Sequence, residues 1–332
     1  MELVCPAGNF RSLREAVDAG ADAVYLGLRD ETNARHFSGL NFTDNELEKG
    51  VQYARDHGAR AFLALNTFPG TREFFRWQQA ADRGARAGVG AFIVADIGLL
   101  DWLQRNHPET PRHLSVQASA TSAAALEWYR RELGIRRAVL PRVLSALQVE
   151  RLAEKSPVEL EVFAFGSLCI MAEGRCHLSS WLTGQSPNQQ GVCSPASTVR
   201  WQETPQSLEA RLNGVLIDRY APDEPAAYPT LCKGRYQSDE RDPYYGLEEP
   251  VSLNTLELLP QLMRAGVSAV KIEGRQRSPV YVRQVTRVWR AAIDACREQG
   301  NDFVAQQAWR EQLAALSEGA QTTLGAYART WQ

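Results

Sequence analysis

The sequence predicts an α/β fold, a (β/α)8 TIM-type barrel with a small β insertion between strands seven and eight. Three observations predict it. Short β-rich apolar runs alternate with amphipathic stretches, a pattern that calls for right-handed crossovers and a parallel sheet. The runs are apolar almost throughout, as strands covered on both faces are. Seven such runs come before a break in the rhythm and an eighth after it, and eight βα units close a barrel.

The expected strands run from Glu2 to Cys5, Ala23 to Leu28, Arg60 to Asn66, Ala91 to Ala95, His113 to Gln117, Ala138 to Pro141 and Glu159 to Phe165, with the eighth from Ala269 to Ile272. Helical periodicity fills the intervals, from Ser12 to Ala19, Thr43 to His57, Arg72 to Ala87, Gly98 to Asn106, Ser122 to Leu133 and Leu144 to Lys155. Gly20, Gly58 and Gly88 follow three of these stretches, where a left-handed residue stops a helix. A helix from Thr255 to Arg264 leads into strand eight, and helices from Pro279 to Gln299 and from Asp302 to Ser317 complete the outer layer.

The break in rhythm has its own signature. Residues 197–221 alternate apolar and polar positions and contain Asn213-Gly214, a hairpin turn signal. Residues 222–250, rich in Pro, Asp, Tyr and Glu, read as ordered loop. A β insertion and loop over 194–250, carried on one barrel domain spanning 1–332, is therefore expected rather than two domains.

Composition narrows the class. A hydrophobic content of 44% with no apolar run long enough to span a bilayer fits a soluble globular chain. The N-terminal run MELVCPAGNF has no basic stretch leading into an apolar core and cleavage site, which places the chain in the cytoplasm. Net charge is −2 with no Lys/Arg block, which disfavours a large nucleic-acid footprint.

Six cysteines in a reducing compartment are ligands, nucleophiles or buried hydrophobes rather than disulfides. Cys5, ending the first strand, and Cys296, inside an amphipathic helix, hold positions typical of buried hydrophobes. Cys169, Cys176, Cys193 and Cys232 differ. They are separated by six, sixteen and thirty-eight residues, and each lies in a loop rich in Gly, Pro or Ser where a thiolate can turn inward. That spacing is neither a compact ferredoxin run nor a pair of zinc knuckles. Four thiolates suit a four-iron cluster, whose simpler role is electron transfer, or a zinc ion that pins the insertion to the barrel.

Reactive groups of such barrels gather at the carboxyl ends of the strands. Asn66, Asp96, Gln117, Arg142, Lys271, Glu273 and Arg275 fall there and are candidates for holding an anionic substrate, the arginines through bidentate geometry. The bland alternatives are a Lys271–Glu273 pair and an Arg142 that merely packs at a helix start. His177, beside Cys176, reads as exposed or supporting. No GxSxG elbow or HExxH helix is present, and the one adjacent Cys–His pair would use a candidate ligand as nucleophile, so peptidase chemistry ranks low.

The run Glu161 to Ser179 carries a resemblance. Glu161, Phe163, Gly166, Ser167, Leu168, Cys169, Gly174, Cys176, Leu178 and Ser179 match the signature of the collagenase-like peptidase family, historically a peptidase family of unassigned mechanism. The CPAGN run, Leu63 to Thr67, Leu140 to Arg142 and Lys271 to Arg275 also resemble that family, so the likeness spans nearly the whole chain; Glu173 departs from the usual pattern. The length, the placement of the four cysteines and the β insertion most resemble the branch serving oxygen-independent hydroxylation in ubiquinone biosynthesis. That resemblance implies a 4Fe-4S cluster on Cys169, Cys176, Cys193 and Cys232, and a heterodimer with a related, UbiV-like cluster protein. It further implies prephenate as the source of the hydroxyl oxygen, and a ubiquinone intermediate delivered by a lipid-binding protein. Other family members resemble prephenate-dependent RNA base hydroxylases, the second expectation, and a non-catalytic electron-transfer or scaffold subunit is the third.

Overall fold

The first seven strands lie side by side in chain order: β1 (Glu2–Pro6), β2 (Ala23–Leu26), β3 (Arg60–Leu65), β4 (Ala91–Val94), β5 (Arg112–Leu114), β6 (Ile135–Val139) and β7 (Glu159–Ser167). After β7 come the antiparallel strands β8 (Val199–Glu203), β9 (Leu208–Leu212) and β10 (Val215–Tyr220), a short pair β11 (Arg235–Tyr236) and β12 (Tyr244–Tyr245), and β13 (Ser252–Asn254). Strand β14 (Ala269–Ile272) then pairs in parallel with both β1 and β7 and closes an eight-stranded barrel. The computed structural model describes every residue except 38, 172, 174, 188–191, 239–241 and 330–332.

Helices follow the strands as the periodicity requires: α1 (Phe10–Asp18), α2 (Asp44–Asp56), α3 (Phe74–Ala87), α4 (Ile97–Asn106), α5 (Ala123–Leu133), α6 (Ala146–Ala153), α7 (His177–Thr183), α8 (Leu259–Arg264), α9 (Pro279–Gln299) and α10 (Gln307–Leu316). Their starts are chemically marked. Thr43 and Glu46 form a reciprocal capping box at α2, Ser145 and Gln148 another at α6, and Ser278 caps α9 with Pro279 in its first turn. Gly20, Gly58 and Gly88 all have positive φ, as expected of helix-stopping residues. Strand bounds depart from expectation at β6, which runs Ile135–Val139 rather than Ala138 to Pro141, and at β5. Ser115 accepts a bond from the Gln117 amide and turns residues 116–118 into a 3-10 turn, so β5 ends at Leu114.

The core lies between strands and helices. Leu3, Leu26, Leu63, Phe92 and Val162 point outward from the barrel into a layer completed by Trp77 and Trp289, all essentially unexposed. Each such aliphatic side chain contributes about 1.5–3 kcal/mol. Cys5 faces this layer, accepting a bond from Thr286 Oγ1 at 3.2 Å, and burial pushes its thiol up to about 12. Cys296 is buried on α9. Both therefore behave as the small hydrophobes their positions predict.

The barrel interior is split. Val4, Tyr25, Phe62 and Ile93 make an apolar part. Beside them runs a charged chain: Arg137 Nη2 bonds Glu2 at 2.8 Å and its Nη1 bonds Glu161 at 3.3 Å, while Lys271 Nζ bonds Glu161 at 2.7 Å. Burial lowers the Lys271 pKa and opposes ionisation of Glu161, but Lys271 and Arg137 hold Glu161 below the ordinary carboxylate range.

A three-stranded antiparallel sheet, in the order β10-β9-β8, occupies the expected place after β7, with Asn213 and Gly214 at its turn. Within residues 222–250 the β11–β12 pair appears where loop was expected. Strand β13 was also unforeseen; it pairs antiparallel with the far end of β7 and in parallel with β15 (Thr322–Thr323). No helix among the described residues is long and apolar enough to cross a membrane.

Candidate metal centre and barrel mouth

The carboxyl end of β7 delivers the first cysteine. Gly166 has φ +121 and lies so close to the chain after β14 that an added Cβ would stand 2.7 Å from Glu273 Cβ. Strand β7 thus runs two residues beyond Phe165 into contact with β13 before Cys169 leaves it. Cys176 caps α7, its Sγ accepting from the Ser179 amide at 3.4 Å. Ser179 Oγ in turn donates to the Cys193 carbonyl, tying α7 to the third cysteine. Cys232 sits in the 3-10 turn Leu231–Lys233, and its carbonyl accepts from Glu248 N at 3.1 Å.

These four segments meet electrostatically. Burial raises the Cys232 thiol to about 11, with Cys193 and Cys169 adding to the rise. Burial also raises Cys176, with the same two neighbours contributing. Cys193 has accessible surface, yet the protein packed round it still raises its thiol; Arg35 opposes that rise and Cys169 adds to it. Four soft donors in one another's field are the chemistry a thiolate-bound metal group requires, since bound cations remove both the proton and the repulsion. Among the described residues no three His, Cys, Asp or Glu side chains form the ligand shell of a single ion.

Glu318 braces the site. It accepts from Ser167 Oγ at the end of β7, from Lys233 beside Cys232 and from Arg277 at 3.3 Å. Its carboxyl lies below the usual range because Lys233, Ser167 and Arg277 outweigh burial. Sequence reasoning missed it, and no local signal marks it.

The mouth candidates part company. Asn66 is consumed by structure, accepting from Ala34 N at 3.0 Å and donating to Ser115 Oγ at 3.3 Å. Asp96 caps α4 through the Leu99 amide at 2.8 Å. Lys271 lies inside the barrel on Glu161, its Nζ 3.9 Å from the Tyr25 ring centre, rather than paired with Glu273. Arg142 is buried and bonds Glu173 through Nε at 3.2 Å, lies 4.4 Å over Phe163 and reaches the Ser167 carbonyl. Burial disfavours its charge, yet Glu173 and Cys169 raise its pKa. Glu173 thereby latches the loop between Cys169 and Cys176 to the end of β6.

Gln117, Glu273 and Arg275 retain free capacity. Gln117 is buried and its Oε1 has no hydrogen-bond partner among the described residues. Glu273 approaches Arg35 only to 3.9 Å. Arg275 is buried against Asn33 and Tyr25. Arg35 and Asn33 escaped sequence reasoning, although both lie in the loop after β2 where mouth residues are expected. His177 is exposed at the start of α7.

Residues 8–329 match the family described as Peptidase family U32. The tRNA hydroxylation protein P1 of Bacillus subtilis is 32% identical over 315 residues, covering 94% of this chain and 67% of that protein. The tRNA hydroxylation protein P of Escherichia coli is 30% identical over 319 residues, covering 88% and 68%. The chain thus spans about two thirds of the length of these relatives. A solved U32 peptidase covers 84% of this chain and 94% of its own at 11% identity, with a TM-score of 0.49.

Proposed function

The chain belongs to peptidase family U32, and on that footing we propose that it is the iron–sulfur subunit of an oxygen-independent hydroxylase in ubiquinone biosynthesis, the role of UbiU. In this reading Cys169, Cys176, Cys193 and Cys232 hold a 4Fe-4S cluster, prephenate supplies the hydroxyl oxygen, and a related UbiV-like cluster protein is the partner. The observation that carries it is the meeting of four cysteines from separate loops in one electrostatic neighbourhood. When bound, such a cluster supplies one-electron transfer.

The chain's own residues do the rest. The Ser179 amide donates to Cys176 Sγ, a bond that stabilises thiolate over thiol. Arg35 and Arg142 bring positive charge toward Cys193 and Cys169, offsetting the anionic charge of a thiolate-ligated cluster. Glu318 and Glu173 hold the cysteine loops to the barrel rim.

RNA base hydroxylation is the second reading, favoured by the names of the curated relatives. A net charge of −2 speaks against a broad RNA surface. One complementation experiment separates the readings. Cells lacking the chain should make ubiquinone in air and fail without oxygen. The wild-type chain, recovered anaerobically as brown protein with about four irons, should restore synthesis, whereas each Cys→Ala variant at the four positions should lose both colour and rescue. Colourless wild-type protein with one zinc would sink the cluster, and loss of an RNA modification with normal ubiquinone would move the assignment to RNA.

A further inference from the structure

Arg275 is a buried cation with no carboxylate in contact among the described residues. It is 5% exposed, and its one side-chain hydrogen bond among the described residues runs from Nη1 to neutral Asn33 Oδ1 at 3.1 Å. Arg35 adds a second guanidinium nearby, and the two repel. Glu273 comes within 3.9 Å of Arg35 and acts on Arg275 from farther away. Burial pushes the Arg275 pKa down to about 10. A desolvated charge with no carboxylate in contact is unfavourable unless a ligand supplies one.

The guanidinium is held in place rather than loosely accommodated. Asn33 is fully buried, and its Nδ2 donates to the Leu28 carbonyl at 2.7 Å and the Asp30 carbonyl at 3.3 Å. Those bonds fix Oδ1 toward Arg275, and the same oxygen accepts from the Arg35 amide at 3.2 Å. Gly27 makes room for this arrangement, since a Cβ there would lie 2.4 Å from Asn33 Cγ. Tyr25 supports the guanidinium from one face, 5.5 Å from its ring centre, and is itself anchored by donating to the Ile272 carbonyl at 2.9 Å. With one Nη committed, the rest of the planar fork is available to two oxygens of one ligand.

We propose that Arg275, positioned by Asn33 and Tyr25 and flanked by Arg35, is a carboxylate-binding subsite for a small organic acid at the barrel mouth. Arg35 lies within the electrostatic reach of Cys193, so the acid is held on the cysteine side of the mouth. An RNA phosphate fits less well: contacts to a polymer backbone come from side chains that reach outward, and Arg275 is almost wholly enclosed. The subsite rests on the hydroxylase reading for its choice of probe, prephenate.

Calorimetric titration of anaerobically purified chain with prephenate, inorganic phosphate and tRNA tests it. Prephenate should bind saturably, and Arg275→Gln should weaken it at least about tenfold, the loss of one charge-assisted contact. Arg275→Lys should recover only part, because an ammonium lacks the fork. Arg35→Gln should weaken binding less, its side chain being 35% exposed. Iron content should match the wild type in both Arg275 variants, which separates loss of the subsite from loss of the cluster. If Arg275→Gln does not fold, Arg275→Lys and Arg35→Gln carry the same readout. Absence of prephenate binding by the wild type, unchanged affinity in the Arg275 variants, or Arg275-dependent binding of tRNA alone would overturn the proposal. Ubiquinone synthesis independent of the chain, with Arg275-dependent prephenate binding intact, would remove the hydroxylase role and leave the subsite standing.

Discussion

His113 lies inside the barrel with its ring centre 4.8 Å from that of Phe62 and Nδ1 without a partner among the described residues. Burial, reinforced by Arg137, pushes its pKa down to about 3, with Glu161 opposing and Lys271 and Arg60 adding to the fall. In the unfolded chain the same imidazole titrates near 6.5. Between those values the unfolded state binds a proton that the folded state refuses, so stability is full above about pH 6.5 and is lost as pH falls toward 3. The slope approaches about 1.4 kcal/mol per pH unit. His113→Leu should therefore flatten the acid limb of a urea-unfolding series from pH 7 to 5, a range above the titration of the carboxylates. Superimposable profiles for variant and wild type would show that His113 is not the group responsible. The same economy of charge distinguishes Lys271 from Arg275: Lys271 opens the KIEGR run with Glu161 as its hydrogen-bonded acid, whereas Arg275 closes it with neutral Asn33 as its hydrogen-bond partner.

Strand β7 outruns its barrel neighbours, with nine residues where β6 has five and β14 has four, and its extra length is where barrel becomes site. Gly166 permits the overrun. A methyl there would meet Glu273 Cβ at 2.7 Å and the Glu273 carbonyl at 2.8 Å on a backbone already at φ +121. Gly166→Ala should cost roughly 1–3 kcal/mol, whereas Gly184→Ala, also at positive φ but with nothing within 4 Å, should cost about 1 kcal/mol or less. Equal losses in thermal or urea unfolding would refute the close-packing account. Alternation of apolar runs with helical periods made all eight barrel strands legible because those signals are local. Strand β13 was illegible, since its three residues become a strand only by pairing with β7. Helix α7 was hidden by its brevity and by a cysteine serving as its cap. The cysteines could be picked out by their loops, but Asn33 and Glu318 could not, because they act across 242 and 151 residues of chain.

At the scale of the whole molecule, the barrel offers rigidity at one end and irregular chain at the other. All four cysteines lie on the irregular side, in segments after β7 that the barrel rim, α7 and the three-stranded sheet hold together. Trp181 lies on α7, five residues beyond Cys176, and is 82% exposed. Tyr228, 48% exposed, donates to the carbonyl of Ser194 next to Cys193 at 2.9 Å. Large aromatic side chains left in water are the anchors that protein interfaces bury, and a partner covering these two also covers the cysteine region. In the proposed two-subunit arrangement, this is the face a second cluster protein would approach. Co-expression with the UbiV-like protein should therefore give a heterodimer that survives gel filtration, and Trp181→Glu should weaken it at least about tenfold, the loss expected when a central aromatic anchor is replaced by a charge. Iron content should be unchanged in that variant, because Trp181 is 82% exposed. A wild-type chain that stays monomeric beside its partner would remove the two-subunit arrangement, and a heterodimer indifferent to Trp181→Glu would place the interface elsewhere on the barrel.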